Sequence, residues 1–299
     1  CAAAKIPASR QLMPLAFACG WGGIITMVGT PPNIIAVGAM TSAGLEPFGF
    51  FEFAWIGIPV SIAGMLYMMF VGKYLLPKVD LSADQEIEQE IEAASTSSTK
   101  QIISGVILAL VIITMAVGIP GVSLEIAAIT GALVCVLTGC LTEKQAYASI
   151  DWVTIFLFAG MMPVSNAMDK TGAGKLIAEW AVSLMGGAPT PIIMTSVLFI
   201  ISCTLTQFMS NTAAAALLAP VGVAISQQLG ASPKAVLMAI GVAASCAFAT
   251  PVGTPPCTLV LGPGGYKFMD YVKVGVPLVI LCFIVSIIVI PMVWPFFPG

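Results

Sequence analysis

The sequence contains no histidine, and only 8% of its 299 residues are charged, against about a quarter in an ordinary soluble protein. Without histidine, imidazole-based catalysis, the usual zinc sites and histidine proton relays are excluded. Because a soluble domain of this size needs a charged surface, the soluble globular class is excluded too. Eleven basic residues against 14 acidic ones leave no basic patch for nucleic acid. A multi-span membrane protein remains.

The cysteines form no Cys-x-x-Cys pair and lie mostly in apolar runs, so we interpret them as small membrane-core residues and not as a disulfide framework. The sequence begins at Cys1 with no preceding Met, which predicts a fragment of a longer chain. The eight cysteines are Cys1, Cys19, Cys135, Cys140, Cys203, Cys246, Cys257 and Cys282.

Charge-free stretches long enough to cross a bilayer, about 20 residues each, alternate with short charged segments. The plainly hydrophilic segment is 73–100, which holds six of the 14 acidic residues and a Ser/Thr run. Residues 180–233 lack charge over 54 positions, which is room for two apolar segments. Residues 11–45, 53–72 and 235–266 are uncharged as well, and the other predicted spans are about 101–124, 122–141, 151–168 and 274–299.

The distribution of Lys and Arg predicts the orientation. With the 76–100 loop in the cytoplasm and alternating spans, residues 190–230 must re-enter from the outside without crossing fully. The predicted location is the inner membrane, with several passes. The inside ends then hold Lys5, Arg10, Lys73, Lys78, Lys100, Lys144, Lys267 and Lys273, and the outside ends hold Lys170, Lys175 and Lys234.

The most informative feature is an internal repeat with an offset of 224 residues. Residues 26–32 read Thr-Met-Val-Gly-Thr-Pro-Pro, and residues 250–256 read Thr-Pro-Val-Gly-Thr-Pro-Pro. With a six-residue gap, Gly57-Ile58-Pro59 aligns with Gly275-Val276-Pro277. Pro ends a helix and Gly frees the backbone, so each motif predicts a broken helix. Paired breaks in two halves point to a transporter's binding site, whereas a pair of structural kinks is the alternative.

Three adjacent polar residues, Ser210-Asn211-Thr212, lie between two apolar arms at about 190–209 and 213–229. Polar side chains at membrane depth are costly unless they are paired. Their hydroxyl and amide groups can donate to an anion, and their oxygens can coordinate sodium. A helix–helix hydrogen-bond patch is the alternative.

Together these motifs resemble the divalent anion/sodium symporter family of the ion-transporter superfamily, which carries dicarboxylates, citrate or sulfate. The resemblance covers the whole chain. It rests on the motifs at 29–33, 151–160, 210–212, 243–248 and 253–256, followed by those at 262–266 and 270–275.

The resemblance implies an all-α polytopic inverted-repeat fold, an elevator-type transport domain, and a homodimer formed through scaffold helices in the lipid bilayer. The implied function is sodium-coupled symport of a small dianion, most favourably a C4-dicarboxylate, with Na⁺ as coupling ion and no organic cofactor. It assigns substrate contacts to Ser210, Asn211, Thr212, Thr254, Pro255 and Thr30, and sodium contacts to Thr206, Met209, Asn211, Gly253 and Gly29.

The same resemblance divides the chain into segments. Residues 1–43 end the first repeat with a broken helix, 44–76 close it with a transmembrane helix, and 77–100 are a cytoplasmic acidic linker. Scaffold helices follow at 101–150, and a connecting helix with a horizontal interfacial arm at 151–189. A re-entrant hairpin and a second broken helix fill 190–268, and the last transmembrane helix fills 269–299.

The chain departs from the family pattern in two places. Cys257 stands where an Asn is expected after the second Pro-Pro, although Asn33 keeps it after the first. The repeat offset places the first counterpart of Ser210 before Cys1, so a first hairpin is expected to be missing and the chain alone is not expected to transport.

Other functions remain open. Sulfate or another inorganic oxyanion could be the substrate. A proton-coupled antiporter or oxyanion pump needs an intramembrane acid, for which only Glu125 qualifies. An intramembrane protease is disfavoured, because there is no His and no pair of Asp residues within the spans. A purely structural membrane module would show no stabilisation by ligands.

Overall fold

A computed structural model describes residues 8–77, 98–117, 122, 124–150, 190–251 and 253–297, and between 151 and 189 only positions 152, 156, 159, 163, 167, 170–172, 176 and 183. This described part is helical and contains no strand, which confirms the all-α part of the predicted fold. Most of the expected span at 151–168, the acidic linker between 78 and 97 and the side chain of Glu125 lie outside the described residues.

Gly and Pro set many of the ends of the described helices. In chain order they are α1 (Leu12–Gly23), α2 (Pro31–Ser42), α3 (Ala54–Leu75, with a π-helical turn at Met68–Gly72), α4 (Ser98–Val117), α5 (Leu124–Leu137), α6 (Glu143–Ala148), α7 (Pro191–Thr206), α8 (Asn211–Leu229), α9 (Pro233–Ala244), α10 (Pro255–Leu261) and α11 (Phe268–Val293).

The chain forms two compact units. One comprises residues 82–153, in which α4 packs against α5. Gly131 of α5 faces Val111 of α4 so closely that any side chain at 131 would collide with it. The other unit comprises residues 1–81 and 154–299. It contains all the predicted site residues, so the site can be described within this unit alone.

Within the larger unit, α9 occupies the centre. All of its residues from Ala235 to Ala244 are buried. It packs against α7, α8 and α2, and α2 also packs against α8. Helices from the first and second halves of the sequence therefore interleave around α9, which places the two predicted breaks in one core.

Among the described helices, α3, α8 and α11 are long and apolar enough to cross a bilayer. Large apolar side chains on them remain exposed, including Phe70 at 64% and Met292 at 76%. A protein surface of this kind needs lipid around it. The shorter apolar helices are α1, α7, α9 and parts of α4 and α5.

Helix α11 begins six residues before the start that the charge-free window suggested at 274. The backbone N–H of Lys267 donates to the Asp270 carboxylate at 2.8 Å and caps the helix N-terminus. Asp270 and Lys273 therefore belong to the first turns of the helix. Absence of charge marks the apolar part of a helix, whereas capping marks where the helix starts.

The connection between α2 and α3 is held by Glu52. Its Oε1 accepts the indole N–H of Trp294 at 2.8 Å, and its Oε2 lies 3.5 Å from Nζ of Lys234. Lys234 also lies over the ring of Phe48, 5.8 Å from the ring centre. One carboxylate thus links the first-half connection to the start of α9 and to the end of α11.

Candidate functional site

The first break separates α1 from α2. Helix α1 ends at Gly23, and α2 starts at Pro31 and Pro32, whose missing N–H groups are not needed in a first turn. The backbones of Gly23 and Gly29 touch, so a Cβ on either would collide with the other. Only glycine permits so tight a loop here, which accounts for the Gly of the first Gly-Thr-Pro-Pro motif.

The second break, between α9 and α10, repeats this local structure. Thr254 precedes α10 with φ −132° and ψ 141°, and Thr30 precedes α2 with φ −146° and ψ 141°. A Cβ on Gly253 would lie 2.6 Å from Cβ of Ala247, six positions upstream, just as Gly29 meets Gly23. The two motifs that match in sequence also match in conformation.

In each half, a glycine of the following long helix lies in close contact with the backbone of the break. A Cβ on Gly57 of α3 would lie 2.6 Å from Cα of Ile25. A Cβ on Gly275 of α11 would collide with the carbonyl oxygen of Phe248 and lie 2.8 Å from Cα of Ala249. Positions 25 and 249 differ by the repeat offset of 224 residues, so the predicted alignment of Gly57 with Gly275 has the same structural meaning in both halves.

The first break is braced from within by Asn33. This fully buried side chain donates from Nδ2 to the carbonyl oxygens of Thr26 at 2.9 Å and Ile24 at 3.5 Å. Its Oδ1 is buried without a hydrogen-bond partner. The Oγ1 of Thr30 lies 3.4 Å from Oγ of Ser245, so a hydroxyl pair joins the first break to the second.

The second break is braced from outside, by the tip of the hairpin that α7 and α8 form around the turn at 207–210. Oγ1 of the fully buried Thr206 donates to the carbonyl oxygen of Ala244 at 2.7 Å. The inward-facing atom of the Asn211 amide, Nδ2, lies 3.0 Å from that oxygen, 3.1 Å from the Gly253 carbonyl oxygen and 2.7 Å from Oγ1 of Thr206. We call these four groups the oxygen cluster.

The Asn211 amide fits the oxygen cluster with Nδ2 turned inward, where it donates to the carbonyl oxygens of Ala244 and Gly253 and lies 2.7 Å from Oγ1 of Thr206. With Oδ1 turned inward, the amide would accept from Oγ1 of Thr206, and the two carbonyl oxygens would lose their donor. A cation would then have to compensate the gathered oxygens.

Three of the residues predicted to contact sodium, Thr206, Asn211 and Gly253, are thus brought together. Met209 lies in the adjoining turn, half-buried, with its N–H on the carbonyl oxygen of Leu205. Gly29 belongs to the first break. Ala244 joins the cluster through its carbonyl oxygen, a contribution that a side-chain pattern cannot signal.

The residues predicted to contact substrate lie at helix starts. Ser210 is exposed and caps α8, its Oγ accepting the N–H of Ala213 at 3.2 Å. Thr212 is buried in the first turn of α8. Thr30 and Thr254 are buried at the starts of α2 and α10, and Pro255 is exposed. N–H groups at the start of α8 can donate to an anion, whereas α2 and α10 each begin with two Pro residues, which have no N–H.

Sequence reasoning missed Gln207, a half-buried residue at the end of α7. Its side chain bonds to the carbonyl oxygens of Cys203 and Cys246 and to the N–H of Ala249. The available signal was a residue with both donor and acceptor groups, directly after Thr206 in a charge-free run.

Broken helices and a helical hairpin that meet at one polar locus in an apolar, multi-pass protein define the class of secondary transporters. The model of a family described as citrate transporter matches residues 1–233 and 122–297. The chain belongs to this family, which is a family of transporters and not of enzymes. The resemblance to the divalent anion/sodium symporters of the same superfamily is confirmed.

Three relatives illustrate the match, which extends over 56% to 93% of this chain. The uncharacterized transporter YfbS of Escherichia coli K12 is 43% identical over 171 residues, which are 56% of this chain and 28% of the relative. An uncharacterized transporter of Haemophilus influenzae is 34% identical over 292 residues, 92% of this chain and 60% of the relative. The sodium-dependent dicarboxylate transporter SdcS of Staphylococcus saprophyticus is 24% identical over 303 residues, 93% and 57%. The chain thus spans at most 60% of these relatives.

Proposed function

We propose that the protein is a sodium-coupled symporter of small dianions, most favourably C4-dicarboxylates. The observation that carries the proposal is the oxygen cluster formed by Thr206, Asn211 and the carbonyl oxygens of Ala244 and Gly253. Relatives named sodium-dependent dicarboxylate transporter SdcS, at 24% and 26% identity, support the same assignment.

The chemistry of the cluster suits sodium. All its ligand atoms are uncharged oxygens, and two come from the carbonyls of an unwound helix, which is the usual way for transporters to coordinate Na⁺. A cation in this position would hold the hairpin tip and the second break together. Met209 would add its carbonyl oxygen from the adjoining turn. Gly29 would contribute to a second sodium site at the first break.

The proposed substrate site uses no cationic side chain. Hydroxyl and amide groups of Ser210, Asn211, Thr212, Thr254 and Thr30 would donate to the two carboxylates, with Pro255 forming part of the wall. Bound sodium and the N-terminal ends of α2 and α8 would supply the positive potential. Sodium binding would come first, because it orders the loops from which the anion site is built.

The architecture that we propose is an inverted repeat that works as an elevator, as a homodimer in the inner membrane. The shared conformations of Thr30 and Thr254 and the matched contacts of Gly57 and Gly275 support the repeat.

The test is uptake of radiolabelled succinate by proteoliposomes that contain the whole protein, with and without an inward sodium gradient. Asn211→Ala removes the side chain that spans the cluster, and Gln227→Ala, an exposed position on the same helix, is the matched control. We expect sodium-driven uptake in the parent and the control and a loss of at least about tenfold in Asn211→Ala.

Competition identifies the substrate class. Unlabelled succinate, citrate and sulfate are added in separate arms. Displacement by sulfate alone would replace the dicarboxylate with an inorganic oxyanion. Uptake that follows a proton gradient and ignores sodium would refute sodium coupling and favour the proton-coupled alternative.

A further inference from the structure

Gln207 attaches the hairpin tip to the second break. Its Nε2 donates to the carbonyl oxygen of Cys203, in its own helix, at 3.1 Å and to that of Cys246, in the break, at 3.0 Å. Its Oε1 accepts the N–H of Ala249 at 3.1 Å. The amide thus has donors and acceptor all paired, and two of its three bonds cross to the loop.

A further hydrogen bond runs from the loop to the backbone of residue 207. The hydroxyl of Thr250, a buried residue, donates to the main-chain oxygen of Gln207 at 2.8 Å. Residue 207 is therefore fixed to the segment 246–250 through both its side chain and its backbone. This attachment lies apart from the oxygen cluster, whose contacts with the break are at Ala244 and Gly253.

The bonds of the Gln207 side chain lie in the middle of the loop that joins α9 to α10. The oxygen cluster holds both ends of the loop, at Ala244 and Gly253, and Gln207 holds its middle. Thr254 follows directly and starts α10. A change at the cluster can reach Thr254 as a defined displacement only if the loop between its ends is rigid.

We infer that Gln207 is the positioning residue that couples sodium binding to substrate binding, an inference that rests on the proposed function. It touches neither ion nor substrate. Its amide fixes the middle of the loop to the hairpin tip, so that ordering the cluster orders the anion site. Without this amide, sodium and substrate would still bind to their own groups, but the binding of one would no longer raise the affinity for the other.

Coupling is a measurable quantity, distinct from affinity. If sodium raises the affinity for succinate by some factor, succinate raises the affinity for sodium by the same factor. The experiment measures this factor in purified whole protein in detergent, from the succinate Kd with and without saturating sodium. The half-saturating sodium concentration with and without succinate gives the reciprocal value, with choline keeping ionic strength constant.

In Gln207→Leu we expect the coupling factor to fall about tenfold, the size of two net hydrogen bonds. The half-saturating sodium concentration without succinate should stay within about twofold of the parent, because Gln207→Leu leaves all four groups of the oxygen cluster in place. Gln227→Leu, at an exposed position of α8, should keep the parent factor.

Thr250→Val provides a second variant in case Gln207→Leu does not fold. It removes only the bond from the loop to the main-chain oxygen of Gln207 and should lower the same factor to a smaller extent. A folded variant with an unchanged factor overturns the inference. So does an equal weakening of both ligands with the factor preserved, since that is what a purely structural residue would cause. A parent without any sodium dependence refutes the proposed function instead.

Discussion

The two Gly-Thr-Pro-Pro breaks share a backbone but differ in what holds them. In both, an extended Thr precedes the second helix, and a glycine of the next long helix lies against the loop. The first break is braced by its own Asn33. The second has Cys257 at that position. Its own Thr258 donates to the carbonyl oxygen of Pro251 at 2.6 Å, and Thr206, Gln207 and Asn211 of the hairpin tip brace it in addition.

The two breaks thus share a backbone conformation but differ in the contacts that could change it. Backbone shape is set by Gly and Pro and is the same wherever the motif occurs. Polar bracing decides whether a loop is fixed permanently or depends on a neighbour. An internal brace cannot respond to a ligand held between two elements, whereas a brace across two elements can. Under the proposed function, the second break is the one that a cation bound at the hairpin tip would control.

The largest expected effect tests the shared part of the comparison. Gly275→Ala places a methyl group against the carbonyl oxygen of Phe248, and Gly57→Ala places one 2.6 Å from Cα of Ile25. Backbone cannot yield as a flexible side chain can, so each variant should lose about 3 kcal/mol or more of stability. The yield of monodisperse protein and its thermal unfolding in detergent measure this loss.

Gly22→Ala is the control, because a Cβ there has nothing within 4 Å. It should behave as the parent does. If Gly57→Ala were tolerated while Gly275→Ala was not, the two breaks would not share their packing, and the comparison would fail.

An intermediate effect tests the internal brace. Asn33→Leu leaves the carbonyl oxygens of Thr26 and Ile24 without their donor and should cost about 1–3 kcal/mol. Asn33→Asp should cost more, because it sets a carboxylate against the same two oxygens. Thermal unfolding with and without sodium measures both variants. Because the proposed second sodium site lies at this break, sodium should stabilise both variants less than it stabilises the parent, and an undiminished sodium effect would contradict that site.

The smallest effect concerns the link between the breaks. Ser245→Ala removes the hydroxyl that lies 3.4 Å from Oγ1 of Thr30, a long contact. The expected loss of stability is about 0.5 kcal/mol, read from the midpoint of chemical denaturation. A loss several times larger would mean that the two breaks support each other, and their separate bracing would then be a secondary matter.

Sequence alone predicts the features of this molecule that depend on local chemistry. The breaks at 29–32 and 253–256 and the correspondence of Gly57 with Gly275 follow from Gly, Pro and the repeat. The hairpin at 190–230 follows from its uncharged length, from the polar residues 210–212 between its arms and from the distribution of Lys and Arg. The convergence of Thr206, Asn211 and Gly253 followed from the family resemblance, since no local pattern joins residues 42 positions apart.

What the sequence did not predict depends on distant backbone atoms. The carbonyl oxygen of Ala244 and the role of Gln207 arise from contacts 38 and 39 residues apart, and main-chain oxygens look alike at every position. The sequence shows Cys257 at the position that corresponds to Asn33, but it does not show that residues of the hairpin tip brace the second break. Likewise, the start of α11 at Phe268 depends on a cap and not on hydropathy.

The Glu52 linkage has a consequence for how the protein is made. Glu52 and Trp294 are 242 positions apart, so at about 5–20 residues per second the ribosome completes Trp294 roughly 12–48 s after Glu52. Throughout that interval the carboxylate lacks its indole partner. The bond can close only after α11 has been synthesised, which makes it a late step of biogenesis that joins the connection between α2 and α3 to the end of α11.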